Sequence, residues 1–222
     1  MPEPYKPRGD SLGEALAAPL KDRVWLTEAR RKAIHLAFIL LPLDILHAWL
    51  PWPNSTRAWR LALLLCVLGA VLIDVVRIHE RRVQRWFMRF LGELIREHER
   101  FNLLGSTYLL LAVLLALEIF PRPIAATAVG FTVLGDGFAA LAGRAYGRTR
   151  FFGKSLEGFA AGLLACLAWA AYVALGGHLP WSVVLVGALV ASLVEILPIP
   201  LDDNLAVTLA AGYAMKLLTG HV

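Results

Sequence analysis

Cysteine is scarce: Cys66 and Cys166 are the only two in 222 residues. Both lie inside apolar runs with no metal-ligating neighbour, so they read as small core residues and leave the redox compartment open. Zinc-binding spacing, a nucleophile elbow and a dinucleotide-binding glycine fingerprint are all missing. Gly153-Lys154-Ser155 looks like the end of a P-loop. However, five residues separate Gly147 from Gly153 where that loop needs four, and no strand precedes it. Acids are in deficit, at 17 against 22 Lys and Arg, for a net charge of +5. In a soluble protein this balance would suggest nucleic acid. Here the basic residues cluster between apolar runs, so membrane orientation and an anionic lipid or nucleotide fit better, and no nucleic-acid partner is expected. The first 30 residues carry Asp10, Glu14, Lys21 and Asp22 without an apolar h-region, which predicts no cleavable signal peptide.

What is abundant is apolar surface. Hydrophobic residues make up 58% of the chain and the mean hydropathy is +0.62, values typical of a polytopic membrane protein. The expected fold is all-α, with about seven transmembrane helices and one amphipathic helix on the cytoplasmic face. The spans are expected over residues 33–51, 59–76, 103–120, 124–143, 157–176, 181–197 and 204–218. The first is the weakest, because Pro42 and Asp44 interrupt it. Residues 1–30 are expected to be a polar segment, partly disordered or interfacial, and residues 31–222 one membrane-embedded domain. Trp49, Trp52 and Trp59 read as an interfacial belt. Over 78–101, Val83, Trp86, Phe87, Phe90, Leu91 and Leu94 share one helical face, which predicts the amphipathic helix. Asp74 and Arg77 are i, i+3 neighbours, expected to form an ion pair.

The chain is organised around Gly135 to Gly158, GDGFAALAGRAYGRTRFFGKSLEG. Asp136 falls inside an apolar run. Arg144, Arg148, Arg150 and Lys154 follow, then Ser155 and Glu157, with glycines at 135, 137, 143, 147 and 153. Acids that hold a cation, glycines that let backbone N–H groups approach and cations that neutralise oxygens are what a metal-bound polyphosphate needs. Small residues also pack transmembrane helices, and cations after a span also set orientation, so both readings stay open on chemistry alone.

The same stretch, read as GD…A…GR..G…GKSLEG, resembles the signature of the CTP-dependent lipid-alcohol kinases: dolichol kinase, phytol kinase and the fungal-type diacylglycerol kinase. Gly135-Asp136-Gly137-Phe138-Ala139 looks closest to the phytol kinase form. Arg31-Lys32..His35 and Asp202-Asp203-Asn204 resemble flanking elements of that family. A weaker likeness is to the CDP-diacylglycerol synthases.

The resemblance implies a membrane kinase that moves the γ-phosphoryl group of CTP to a lipid alcohol, with Mg²⁺ or Mn²⁺. The alcohol could be a polyprenol, phytol, geranylgeraniol or diacylglycerol. Asp136, Asp202 and Asp203 are the expected catalytic residues, and with Glu157 the expected metal ligands. Arg144, Lys154, Ser155 and Glu157 are expected at the nucleotide, with Gly135, Gly137, Gly143, Gly147 and Gly153. Lys32, His35, Asn102 and Glu195 are weaker candidates for the lipid substrate. A cytidylyltransferase making a CDP-lipid and a non-enzymatic transporter or lipid-binding protein are the alternatives. The transporter predicts inverted repeats and polar sites at mid-membrane, which the sequence does not display.

Alternate loops are basic, so the positive-inside rule places the N-terminus and the charged stretch at the cytoplasmic face of a cell membrane, with the C-terminus outside. This sorting brings His35, Asp74, Glu99, Asn102, Asp136, Lys154, Glu157, Glu195, Asp202 and Asp203 to one face. Single cysteines placed at Arg150 and at Gly177, without Cys66 and Cys166, should label with an impermeant thiol reagent from opposite sides. Labelling of both from one side would overturn this orientation.

Overall fold

The computed structural model describes residues 25–49 and 56–220. Most of the expected polar N-terminal segment, and Trp52 of the expected belt, lie outside the described residues. Within them the chain is all-helical apart from one short hairpin. Helix α1 covers residues 25–37. It is followed by α2 (Leu40–His47), α3 (Thr56–His79), α4 (Arg81–Leu91), α5 (Gly105–Ile119), α6 (Arg122–Tyr146), α7 (Leu156–Leu175), α8 (Trp181–Ile196) and α9 (Asp203–Leu218). Two 3₁₀ turns, Gly92–Leu94 and Glu97–Arg100, join α4 to α5. Strands β1 (Arg150–Phe151) and β2 (Lys154–Ser155) pair antiparallel between α6 and α7.

Helix α6 is the axis of the bundle. It touches α2, α5, α7, α8 and α9, and nearly every residue from Ile124 to Val133 is buried. Small residues bring its neighbours close. A Cβ at Gly130 would sit 2.1 Å from the Trp169 ring nitrogen, and one at Gly135 2.9 Å from the Cys166 sulfur. Further along, a Cβ at Gly158 would lie 2.6 Å from the Ala139 carbonyl oxygen. This is the small-residue packing that lets apolar helices approach backbone to backbone. Trp169 also donates its indole N–H to the Thr127 carbonyl at 3.1 Å, and Thr132 and Thr208 share a hydroxyl bond of 2.7 Å between α6 and α9.

Three described helices are long and apolar enough to cross a membrane: α3 from Arg60, α6 and α7. The sequence pattern led to an expectation of seven. Helices α5, α8 and α9 have 15, 16 and 16 residues. At ~1.5 Å per residue they reach about 22–24 Å, short of a ~30 Å hydrocarbon core. Helix α3 lies at the edge, with Leu61, Leu65, Leu68 and Leu72 all more than half exposed. That outer face is suited to lipid.

The expected first span is not one helix. The chain turns at Phe38 and Ile39, where the amides of Phe38, Ile39 and Leu41 bond three residues back rather than four. Pro42 explains the site, since its ring crowds the carbonyl of Phe38 and its missing N–H leaves that carbonyl to Leu41. The expected amphipathic segment is also shorter than its pattern. Glu80 is extended and breaks it from α3, and the chain leaves α-helix at Gly92.

Asp74 and Arg77 do form the expected pair, 2.9 Å apart and wholly buried. They do more than neutralise each other. Arg77 also donates to the carbonyls of Glu99, Arg100 and Asn102. Asp74 accepts from the Leu104 amide and the Thr107 hydroxyl. A buried pair is tolerated only when its remaining hydrogen-bonding capacity is met, and here the segment from Glu99 to Thr107 meets it.

Packing at Gly130 yields an opposed pair of predictions. Gly130→Ala must displace the Trp169 ring and should cost about 1–3 kcal/mol. Gly69→Ala in α3, with open space around it, should be neutral or stabilising by up to ~1 kcal/mol through helix propensity. Thermal midpoints in one detergent test this, and a Gly130→Ala protein as stable as wild type would contradict the close approach.

Candidate active site

The hairpin between α6 and α7 positions the first cation. Its two turn residues, Phe152 and Gly153, have φ of 49° and 81°. Positive φ at both is what a two-residue hairpin loop requires, and Gly153 accepts it at no steric cost. The strand register pairs Phe151 with Lys154 and Arg150 with Ser155. Ser155 then caps α7, its hydroxyl oxygen accepting the Gly158 amide at 3.0 Å.

From this register Lys154 reaches across to α8 and α9. Its ammonium bonds the Glu195 carboxylate at 2.9 Å, the Asp203 carboxylate at 3.0 Å and the Glu195 carbonyl. That carbonyl is one of the last in α8, where a cation is favoured. Burial alone would lower the Lys154 pKa, but the Glu195 and Asp203 carboxylates outweigh it and raise it above the ordinary lysine value.

The second cation comes from α1. Lys32, 2% exposed, makes a salt bridge with Asp136 of α6. His35 Nε2 lies 3.4 Å from the same carboxylate. One turn toward the N-terminus of α1, Glu28 bonds Arg31 at 2.5 Å and lies 3.7 Å from Arg144.

These side chains wall two cavities. The first, of about 450 Å³, is a polar cleft bearing Arg31, Arg96, Arg144, Arg150 and Lys154 among its cations and Glu28, Asp136, Glu195 and Asp203 among its acids. The second, of about 330 Å³, bears Lys32, His35 and Glu99, with Phe38, Phe87, Leu91 and Leu109 in its apolar wall. Arg31, Arg96 and Asp136 line both. Burial and the neighbouring charge of Arg96 both lower the Arg31 pKa from its usual value. Two guanidiniums thus line the place where the cavities meet, a place suited to an anion.

The structure brings together Asp136, Arg144, Lys154, Ser155, Gly143, Gly153, Glu195 and Asp203 on the cleft, and Lys32 and His35 on the second cavity. Other expected residues fall elsewhere. Asp202 caps α9, accepting from the Asn204 amide and side chain at 2.9 Å, and does not line the cleft. Burial raises its pKa against those bonds. Glu157 stands at the foot of the hairpin, accepting the Thr149 amide at 3.2 Å. Asn102 is exposed and lines neither cavity. Gly135, Gly137 and Gly147 do not line the cleft, and an added Cβ at each would meet Cys166, Leu36 and Ser155 respectively. Among the described residues no three acids, histidines or cysteines converge as a metal cluster, so Asp136, Asp202, Asp203 and Glu157 do not form one ligand set.

Arg31 and Arg96 were not foreseen as site residues. In the sequence Arg31 is one of a run of bases before a span, and Arg96 is one of several arginines on an amphipathic segment.

The chain is 28% identical over 240 residues to a protein of Triticum aestivum described as a probable phytol kinase, chloroplastic, with 95% of this chain and 74% of the wheat protein covered. It is 25% identical over 194 residues to an uncharacterized protein of Rickettsia prowazekii (strain Madrid E), with 82% of this chain and 90% of that protein covered. No family model matches the chain. No solved structure matches it either.

The Lys32–Asp136 bridge gives a stability prediction. Lys32→Met leaves a carboxylate without its cation in a site where Asp136 is only 19% exposed. Removing one partner of such a pair costs about 3–5 kcal/mol. The double variant Lys32→Met/Asp136→Asn should recover much of that loss in thermal midpoint. A double variant no more stable than Lys32→Met would show that the two groups are not coupled.

Proposed function

We propose that this protein is a membrane-embedded kinase that transfers the γ-phosphoryl group of a nucleoside triphosphate, CTP by the resemblance of its central stretch, to a lipid alcohol. The observation that carries this is the junction of the two cavities. A polar, cation-rich cleft suits a triphosphate. An apolar cavity beside it suits a hydrocarbon-bearing acceptor. They meet at one carboxylate, Asp136, and two arginines. Similarity to the wheat protein supports the same reading.

Phosphoryl transfer demands mainly positioning and charge neutralisation. Arg144, Arg150 and Lys154 bind the phosphates in the cleft, and Arg31 and Arg96 hold the transferring group. Asp136 accepts a hydrogen bond from the acceptor hydroxyl and orients its oxygen toward the γ-phosphorus. The new oxygen–phosphorus bond forms as the bond to the β–γ bridging oxygen breaks. The hydroxyl proton passes to Asp136, and the nucleoside diphosphate leaves through the cleft. Lys32 fixes the Asp136 rotamer, and His35 borders the acceptor hydroxyl.

Carboxylate oxygens suit a hard cation, and Mg²⁺ is commonly held by one or two of them plus phosphate oxygens. One or two of the cleft carboxylates, Asp136, Glu195 or Asp203, would hold it together with phosphate oxygens, and it would neutralise phosphate charge. The cleft opens at the end of the bundle that the basic loops assign to the cytoplasm.

Purified protein incubated with labelled CTP or ATP and a panel of lipid alcohols should yield a lipid monophosphate and the nucleoside diphosphate. Asp136→Asn should lower turnover by about 10²–10³. Glu118→Gln, which removes one partner of an exposed pair with Arg60, should stay within about threefold. Release of pyrophosphate with a CDP-lipid product, or full activity of Asp136→Asn, would overturn the assignment.

A further inference from the structure

We propose that the acceptor's hydrocarbon chain follows one defined route out of the site. It passes Ile34 and Phe38, then runs along a groove between the α1–α2 junction, α3 and α5, and Phe38 sets which chains are accepted. The proposal rests on the lipid-alcohol reading above and adds to it a path and a gate.

The route is continuous. The second cavity is lined by Asp136, which it shares with the cleft, and also by Ile34 and Phe38. Those same two residues form the near wall of a third space, of about 390 Å³, whose remaining walls are Ala37, Leu41, Ala62, Leu63, Cys66 and Leu110. No charged or hydrogen-bonding side chain lines this groove, apart from the weakly polar thiol of Cys66. The carboxylate, imidazole and guanidinium groups of the second cavity thus give way, past Ile34 and Phe38, to walls with no polar side chain but the Cys66 thiol. That gradient matches an alcohol with its hydroxyl at Asp136 and its tail trailing outward. Leu61 and Leu65 are next to the groove residues Ala62 and Cys66 along α3 and are 58% and 60% exposed. An acceptor dissolved in the bilayer would therefore reach the site sideways, without drawing its chain through water.

Two features make Phe38 the gate. It walls both spaces, so any chain passing between them passes its ring. It also sits where α1 breaks before α2, in a turn held by three-residue bonds, a place where the backbone can adjust at less cost than inside a helix. The two apolar spaces, at about 330 and 390 Å³, lie near the lower bound for a single small-molecule pocket.

The test has two arms. In the first, a geranylgeraniol analogue with a diazirine at its tail end is photolysed with the full chain in nanodiscs, and the adducts are mapped by mass spectrometry. Labels are expected on peptides containing Leu41, Ala62, Cys66 and Leu110, and excess geranylgeraniol should compete them away. Labels elsewhere, or labels that bilayer lipid alone competes away equally well, overturn the route. In the second arm, Phe38→Trp and Ala62→Trp are assayed with geraniol and with geranylgeraniol. Ala62→Trp should lower kcat/KM for geranylgeraniol by about tenfold or more while leaving geraniol within about threefold, and Phe38→Trp should lower it more for geranylgeraniol than for geraniol. The nucleotide KM should not move. Equal losses on both alcohols overturn the gate.

The first arm needs no turnover. Competable labelling of the groove by a wild-type protein that forms no lipid phosphate would support the route and sink the kinase assignment. Turnover with labels elsewhere would do the reverse.

Discussion

A carboxylate placed inside an apolar helix has to meet a cation, and the meeting of Asp136 with Lys32 is the contact on which the site depends. Carrying either charge unpaired into this environment would cost several kcal/mol. The pair therefore fixes where α1 docks on α6. Gly137 makes the docking possible, since a Cβ there would lie 2.4 Å from Leu36. Once α1 is held, Glu28 and Arg31 are placed over the cleft, and His35 and Phe38 are placed along the second cavity. One buried ion pair thus supplies a wall to both spaces.

The buried Asp74–Arg77 pair has a comparable role for a segment that walls the second cavity. By bonding the backbone from Glu99 to Leu104, it fixes a segment that has little regular structure of its own. Glu99 then accepts the Arg96 and Gly105 amides, which seats Arg96 at the junction. A single ion pair would be weak support for such a segment. A pair that also satisfies several backbone groups is a stronger constraint, because losing it would strand them all.

The helical class, the apolar runs and the grouping of Asp136, Lys154, Glu195 and Asp203 at one end were all legible in the sequence. Periodicity and charge alternation are local signals, and these features are local in that sense. Roles were less legible. Gly135 and Gly137 flank an acid, so they suggested a phosphate cradle, while the space they relieve belongs to Cys166 and Leu36 in other helices. Asp202 and Asp203 are adjacent and chemically alike, yet one caps α9 and the other meets Lys154. Only the helix start decides between them. Arg31 and Arg96 come together over 65 positions of chain, and nothing in either neighbourhood distinguishes them from the other arginines.

The hairpin between α6 and α7 has a further consequence for which changes of length this chain tolerates. Surface loops usually absorb insertions freely. This one is a gauge block: two turn residues separate strands only two residues long, and the next residue begins α7. Side chains alternate faces along a strand, so one added residue would swing Lys154 to the opposite side, away from Glu195 and Asp203. It would also move Ser155 off the start of α7. Substitutions at the exposed ring of Phe151 are a matter of surface chemistry. The spacing from Gly147 to Gly158 is a matter of geometry, and related chains that keep this cleft should differ there in residue type long before they differ in residue number.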